Sequence, residues 1–185
     1  MRDGEYDALL GRSEPDIALA LVTARGGSPA TATWLLDHVA EQYVALCAER
    51  PRVADASVEM VHALRELGLR VGIVTGTLHR LIAPVLAGRG LSEAVEVLVT
   101  AEDVNRGKPD PEGFLAGAEA LGLAGDLADI VVFEDSRAGV AAAQAAGMRV
   151  VGIGPVAGTD LAFPAMTDVA EVVLSSRRRA PSSSR

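Results

Sequence analysis

One cysteine, Cys47, is all the chain has, so no internal disulfide framework holds it together. It falls within an amphipathic helical pattern, where a buried small apolar residue is expected. Aromatic residues make up only 3% of the sequence, although apolar residues reach 49%. The core must therefore be aliphatic and rich in alanine. No apolar run is long enough to span a bilayer. The opening residues, Met1-Arg-Asp-Gly-Glu-Tyr-Asp7, do not make a signal peptide. Together these absences set the expectation of a soluble cytoplasmic protein with no membrane partner. Positive charge is also short: the formal net charge of −8 argues against nucleic acid as the main partner. Lysine is scarcest of all. Lys108 is the one lysine among 17 basic residues. In a chain that otherwise uses arginine, a lysine suggests a site that needs a compact ammonium.

What is present divides into parts. A chain of 185 residues suffices for one domain, or a domain with a small appendage. Residues 1–53 hold no convincing strand. Ser13, followed by Pro15 and Asp16, marks a helix start, and Gly26-Gly27 a stop. Ser28-Pro29 opens a longer helix to about Glu49, with Trp34, Leu35, His38, Val39, Tyr43 and Leu46 at helical spacing. Trp34 and His38 are expected to pack rather than bind a ligand. This hairpin is expected to act as a lid or cap. Residues 54–175 alternate helices and strands, which predicts an α/β fold with a parallel, Rossmann-like sheet. The predicted strands are Arg70 to Thr75, Ala94 to Val99, Asp129 to Phe133, Arg149 to Ile153 and, at the edge, Val169 to Leu174. Residues 176–185, basic and serine-rich, read as a disordered tail.

Three stretches carry chemistry. The run Ile130 to Phe133 reads as a strand buried on both faces and ends in two adjacent acids, Glu134 and Asp135. Ser136 then caps an alanine-rich helix. Acids at the carboxyl end of such a strand lie where open α/β sheets bind ligands, and a hard cation relieves their mutual repulsion. The alternative is that Asp135 only helps to cap the helix and Glu134 is solvated. Thr75 ends an earlier strand, and its hydroxyl, with the N–H groups of Gly76 and Thr77, suits a phosphoryl oxygen. The helix that follows is expected to be capped by Thr77. Between these stretches, Arg106-Gly-Lys-Pro-Asp-Pro-Glu112 presents Lys108 from a loop stiffened by Pro109, with Asp110 capping the next helix.

In this order, Val71-Gly-Ile-Val-Thr-Gly-Thr77, Gly107-Lys-Pro-Asp-Pro111 and Val132-Phe-Glu-Asp-Ser-Arg-Ala-Gly139 resemble motifs II, III and IV of the haloacid dehalogenase (HAD) superfamily. The likeness is strongest to its phosphoglycolate phosphatase and β-phosphoglucomutase-like branch. Gly11-Arg-Ser-Glu-Pro-Asp16 resembles a segment found early in the caps of that branch. The resemblance covers roughly residues 8 to 155. It implies a Mg²⁺-dependent phosphatase acting on a small phosphorylated metabolite, with magnesium as cofactor. Thr75, Gly76 and Lys108 would bind the phosphoryl group. Asp135 would ligate the metal, and Glu134 would be a second or outer-shell ligand. A phosphomutase is the alternative within the same superfamily. The family's first motif, Asp-x-Asp-Gly after a buried strand, supplies the nucleophile and the general acid. Asp3-Gly4 is its only trace, so both this nucleophile and the first core strand are expected to be missing. A non-catalytic binder of phosphate and metal therefore stands as a second expectation. A response-regulator receiver fails on order, because it puts its acids first and its lysine last. Arg12 is expected to be a surface residue rather than a substrate contact, and His79 to lie on an exposed helix face. Oligomeric state is open.

Overall fold

The computed structural model describes residues 13–50 and 52–179. Two helices, α1 (Glu14–Thr23) and α2 (Pro29–Glu49), form the expected hairpin. Ser13 accepts the N–H of Asp16, Ser28 accepts that of Thr31, and each helix has proline in its first turn. Gly26, at φ 76°, supplies the left-handed turn between them. Small side chains make the contact: Ala18, Val22 and Ala32 are buried together. Cys47 is buried and unpaired, as expected. The larger apolar residues of α2 behave differently. Trp34, Val39, Tyr43 and Leu46 are exposed, and Trp34 stacks on His38 with ring centroids 4.4 Å apart. Spacing alone suggested an internal stripe. The buried face of α2 instead runs through Ala32, Ala40 and Cys47, and the bulky residues flank it.

The remaining elements alternate. They are α3 (Asp55–Glu66), β1 (Gly72–Val74), α4 (His79–Gly88), β2 (Val97–Val99), α5 (Glu112–Ala120), β3 (Val131–Glu134), α6 (Arg137–Ala145), β4 (Arg149–Ile153), β5 (Leu161–Phe163) and α7 (Met166–Arg179). All strand pairs are parallel. β1 pairs with β2, Ile73 opposite Leu98, while β3, β4 and β5 form a second sheet with Phe133 opposite Val151. Among the described residues the two sheets share no strand pairing. The core is aliphatic, with Ala63, Ala142, Ala143 and Ala170 fully buried. Helix α5 lies close on the first sheet because Gly113 and Gly117 face Val74; a Cβ at Gly113 would sit 3.0 Å from the valine side chain.

Two expectations fail here. β3 is not buried on both faces: Val132 and Glu134 are buried, while Val131 is 43% and Phe133 36% exposed. Phe114, Ala118, Ala142, Ala143 and Ala146 close over one face only. Residues 169–174 are not an edge strand either. They lie inside α7, where Met166, Val169, Ala170 and Val173, at helical spacing, pack on Met60 and Ile153. The edge strand is β5. Helix α7 continues through Arg179, beyond the point where a disordered tail was expected to begin.

Candidate active site

The carboxyl ends of β1 and β2 open into a pocket lined by Ser13, Thr75, Gly76, Thr100, Arg106 and Lys108, among others. Thr75 continues the pairing of β1, its N–H donating to Val99 at 2.9 Å. Its hydroxyl oxygen accepts the N–H of Thr77 at 3.1 Å. That bond directs the hydroxyl proton away from Thr77, toward another acceptor. It also occupies the Thr77 N–H, which the sequence suggested for a phosphoryl oxygen.

Thr77 does not cap the next helix. The N-cap of α4 is Leu78, which offers no capping side chain. Two outside carboxylates do the work: Glu14 of the cap accepts the N–H of Leu78 at 3.2 Å, and Glu102 accepts that of His79 at 2.6 Å. The His79 side chain lies on the exposed face, as expected. At the end of β2, the buried Thr100 gives its N–H and hydroxyl to Asp103, at 2.7 and 2.6 Å. These bonds hold the Asp103 carboxyl below the usual carboxylate range.

Lys108 sits in a loop fastened from beneath. Glu112 accepts the backbone N–H groups of Asn105 and Arg106, at 2.8 and 3.2 Å, and also pairs with the Arg106 side chain at 3.3 Å. The Asn105 N–H is the main reason the Glu112 carboxyl lies below its ordinary value. Asp110 accepts the N–H of Glu112 and pairs with Arg106. Asp110 is not the N-cap expected of it: that place is taken by Pro111, which has no side-chain capping bond, and Asp110 lies one residue before it. From this base Lys108 reaches across the gap between the sheets. Its ammonium donates to the Val74 carbonyl at 3.3 Å, lies 5.0 Å from the Phe114 ring centre and forms an ion pair with Glu134.

Glu134 is 7% exposed. One of its oxygens faces Lys108, and the other accepts the N–H and hydroxyl of Ser136 at 3.3 and 3.1 Å. Ser136 in turn caps α6 by accepting the Gly139 N–H at 3.0 Å. Glycine at 139 leaves room for the Glu134 carboxylate, which a Cβ there would displace. Asp135, next along, is exposed and has no hydrogen-bond or ion-pair partner among the described residues.

The structure therefore brings Thr75, Gly76 and Lys108 into one pocket and joins Glu134 to it through Lys108. It leaves Asp135, at the neighbouring strand end, without a partner among the described residues. No group of three or more metal-ligating side chains occurs among the described residues. Arg12 and the trace Asp3-Gly4 lie outside them. The sequence reading missed Glu14, Arg106 and Glu112. Their signal was present but generic, since an acid near a turn rarely announces which backbone amide it will accept. No helix among the described residues is long and apolar enough to cross a membrane.

The model of one protein family, haloacid dehalogenase-like hydrolase, matches residues 4–147. Validoxylamine A 7'-phosphate phosphatase of Streptomyces hygroscopicus subsp. limoneus is 33% identical over 149 residues, covering 75% of this chain and 69% of that protein. A plasmid-encoded phosphoglycolate phosphatase of Cupriavidus necator is 42% identical over 88 residues, 48% of this chain and 37% of its own length. The solved structure of CbbY from Rhodobacter sphaeroides in complex with phosphate superposes with a TM-score of 0.75 at 21% identity, covering 91% of this chain and 80% of that one. The last likeness is one of fold, and it agrees with the parallel α/β core seen here. Both of these curated relatives are phosphatases, and the chain itself belongs to the haloacid dehalogenase-like hydrolases.

Proposed function

We propose that this chain binds the phosphoryl group of a small phosphorylated metabolite between Thr75 and Lys108, beside a magnesium ion held through Asp135. One observation carries the reading. The chain's single lysine is half-buried at the junction of two strand ends, braced by Glu134, and lines the same pocket as a threonine whose hydroxyl is oriented by a backbone N–H. An ammonium that gives one N–H to Glu134 and one to the Val74 carbonyl still has a third for an anion. The Thr75 hydroxyl, its oxygen already accepting Thr77, donates to a phosphoryl oxygen. Gly76 lets that oxygen approach the backbone closely.

The donor set suits Mg²⁺. That ion prefers one or two carboxylates completed by water and substrate oxygens, and Asp135 offers one unengaged carboxylate. Glu134 acts here as the brace of Lys108 and contributes to the metal site through charge. When bound, the metal neutralises negative charge on the phosphate and so lowers the repulsion met by an attacking carboxylate. Lys108 offsets the same charge from the opposite side. Phosphoryl transfer depends mostly on such positioning and neutralisation.

The attacking carboxylate is not among the described residues. A second reading, a binder without turnover, follows if the chain supplies none. The family match nevertheless begins at residue 4 and so includes Glu5-Tyr6-Asp7. This stretch keeps the acid-x-acid spacing of the first motif, with glutamate in the first slot, and makes Glu5 and Asp7 the candidates for attack and for proton transfer. Hydrolysis of an aryl phosphate by the purified chain, with and without Mg²⁺, decides between the readings. Turnover lost in both Glu5→Gln and Asp7→Asn assigns the pair. Orthophosphate binding without turnover supports the binder. If the chain neither turns over nor binds orthophosphate, the proposal is wrong.

A further inference from the structure

We propose that Glu14 is a positioning residue that latches the helical cap to the phosphate-binding loop, so that seating of the cap and readiness of the loop are one event. The proposal rests on the phosphate-binding reading above and assigns a role to a cap residue that touches no phosphate itself.

Glu14 is the first residue of α1, directly after the pocket residue Ser13. It holds the loop at two points. Its backbone N–H donates to the Gly76 carbonyl at 3.0 Å, and its carboxylate accepts the Leu78 N–H at 3.2 Å. The Thr77 side chain also favours the ionised form of the same carboxylate. One residue thus holds both ends of the three-residue segment 76–78 that follows Thr75. Fixing the Gly76 carbonyl sets the plane of the Gly76–Thr77 peptide, and so the direction of the Thr77 N–H. That N–H is the group that orients the Thr75 hydroxyl. The path from cap to phosphate ligand is two hydrogen bonds long.

The surroundings also suit a latch. Leu78 has no capping side chain of its own, so withdrawing Glu14 leaves a backbone donor without its partner. The half-buried Glu14 carboxyl is pushed above its ordinary range by burial, a cost only partly offset by Leu78, Thr77 and the charge of Arg80. Arg80 itself pairs with Asp37 of α2 at 2.5 Å. Tyr43 of α2 also lies within reach of the Glu14 charge. A carboxylate held at such a cost is one that can let go.

Three proteins test the proposal: the intact wild type, Glu14→Ala and Glu14→Gln. The glutamine keeps an acceptor for Leu78. Amide hydrogen exchange of residues 76–78 should speed up in Glu14→Ala and return to near the wild-type rate in Glu14→Gln. Orthophosphate affinity, measured by calorimetry in the presence of Mg²⁺, should fall about tenfold in the alanine variant and stay within about twofold in the glutamine variant. If exchange at 76–78 is the same in all three proteins, Glu14 is no latch. If exchange changes but phosphate affinity does not, the contact is structural and the positioning role is overturned. If the wild type binds no orthophosphate, the functional reading fails, and the exchange data still decide whether Glu14 holds the loop.

Discussion

The two strand ends that meet at Lys108 are built on opposite plans. Around β1 and β2, every carboxylate near the pocket is already committed. Glu14, Glu102, Asp103, Asp110 and Glu112 each accept at least one backbone N–H of a nearby loop. At the end of β3 the plan splits between neighbours. Glu134 points inward and is spent on Lys108 and Ser136, while Asp135 points outward and is spent on nothing among the described residues. The first five acids stand in for caps and turn bonds that the loops beside the pocket lack. The acid left over is the one available to a ligand. Engagement by the backbone thus separates scaffold acids from working ones more sharply than position in a motif does.

The largest test of that division is removal of the junction itself. Lys108→Ala leaves Glu134 buried without its counter-ion, which is expected to cost about 3–5 kcal/mol and to abolish orthophosphate binding. Thermal melting and calorimetry check the two effects. A melting point close to wild type would show that Glu134 is better solvated than its 7% exposure indicates.

Gly139→Ala comes next. The new methyl group overlaps the Glu134 carboxylate, which Lys108 and Ser136 hold in place. The loss should be about 1–3 kcal/mol, with weaker phosphate binding as Lys108 shifts with its partner. The same substitution at Gly88, where nothing lies within 4 Å of the added Cβ, is the control and should be neutral or stabilising.

A smaller effect is expected at Glu112. Its carboxyl is held low, first by the Asn105 N–H; burial opposes this as the next largest effect, and contacts with Arg106 and the Asn105 side chain add to the lowering. A depressed folded-state value means that the ionised form favours the folded loop. That stabilisation is fully present above the ordinary glutamate value of 4.5 and is lost as pH falls through the lower folded-state value. In wild type, amide exchange at residues 105–108, corrected for the intrinsic rate, should therefore rise on acidification below that range. In Glu112→Gln it should be raised already at neutral pH and change little with acid. A flat wild-type profile would remove Glu112 from the scaffold group.

Much of this was legible beforehand, for identifiable reasons. Ser13, Ser28 and Ser136 cap helices because a hydroxyl before a helical pattern has one obvious use, and all three do so. Parallel pairing and the meeting of Thr75 with Lys108 followed from alternation and motif order. The failures share a cause. Residues 169–174 looked like a strand because a short apolar run has no period of its own; only with Met166 and Met60 in place does the helical face show. Trp34 and Tyr43 looked internal because helical spacing marks a stripe without naming what covers it. That Glu134 and Asp135 differ in burial was hidden by their adjacency, because successive strand residues face opposite ways. The backbone amides taken by Glu14 and Glu112 are tertiary choices and leave no local mark.

The smallest structural change should have the clearest functional result. Asp135→Asn removes a charge with no protein partner among the described residues, so the melting point without metal should move by no more than about 0.5 kcal/mol equivalent. In wild type, Mg²⁺ that binds only the folded chain raises the melting point with concentration. In Asp135→Asn that rise should vanish, while orthophosphate still binds at Thr75 and Lys108, more weakly for want of the cation. Glu112→Gln should do the reverse, keeping the response to Mg²⁺ while loosening the loop that carries Lys108. If Asp135→Asn kept the full response to magnesium, the unengaged acid would not be the metal's anchor. The division between scaffold and working carboxylates would then have to be drawn through Glu134, whose release from Lys108 would become a step of binding in its own right.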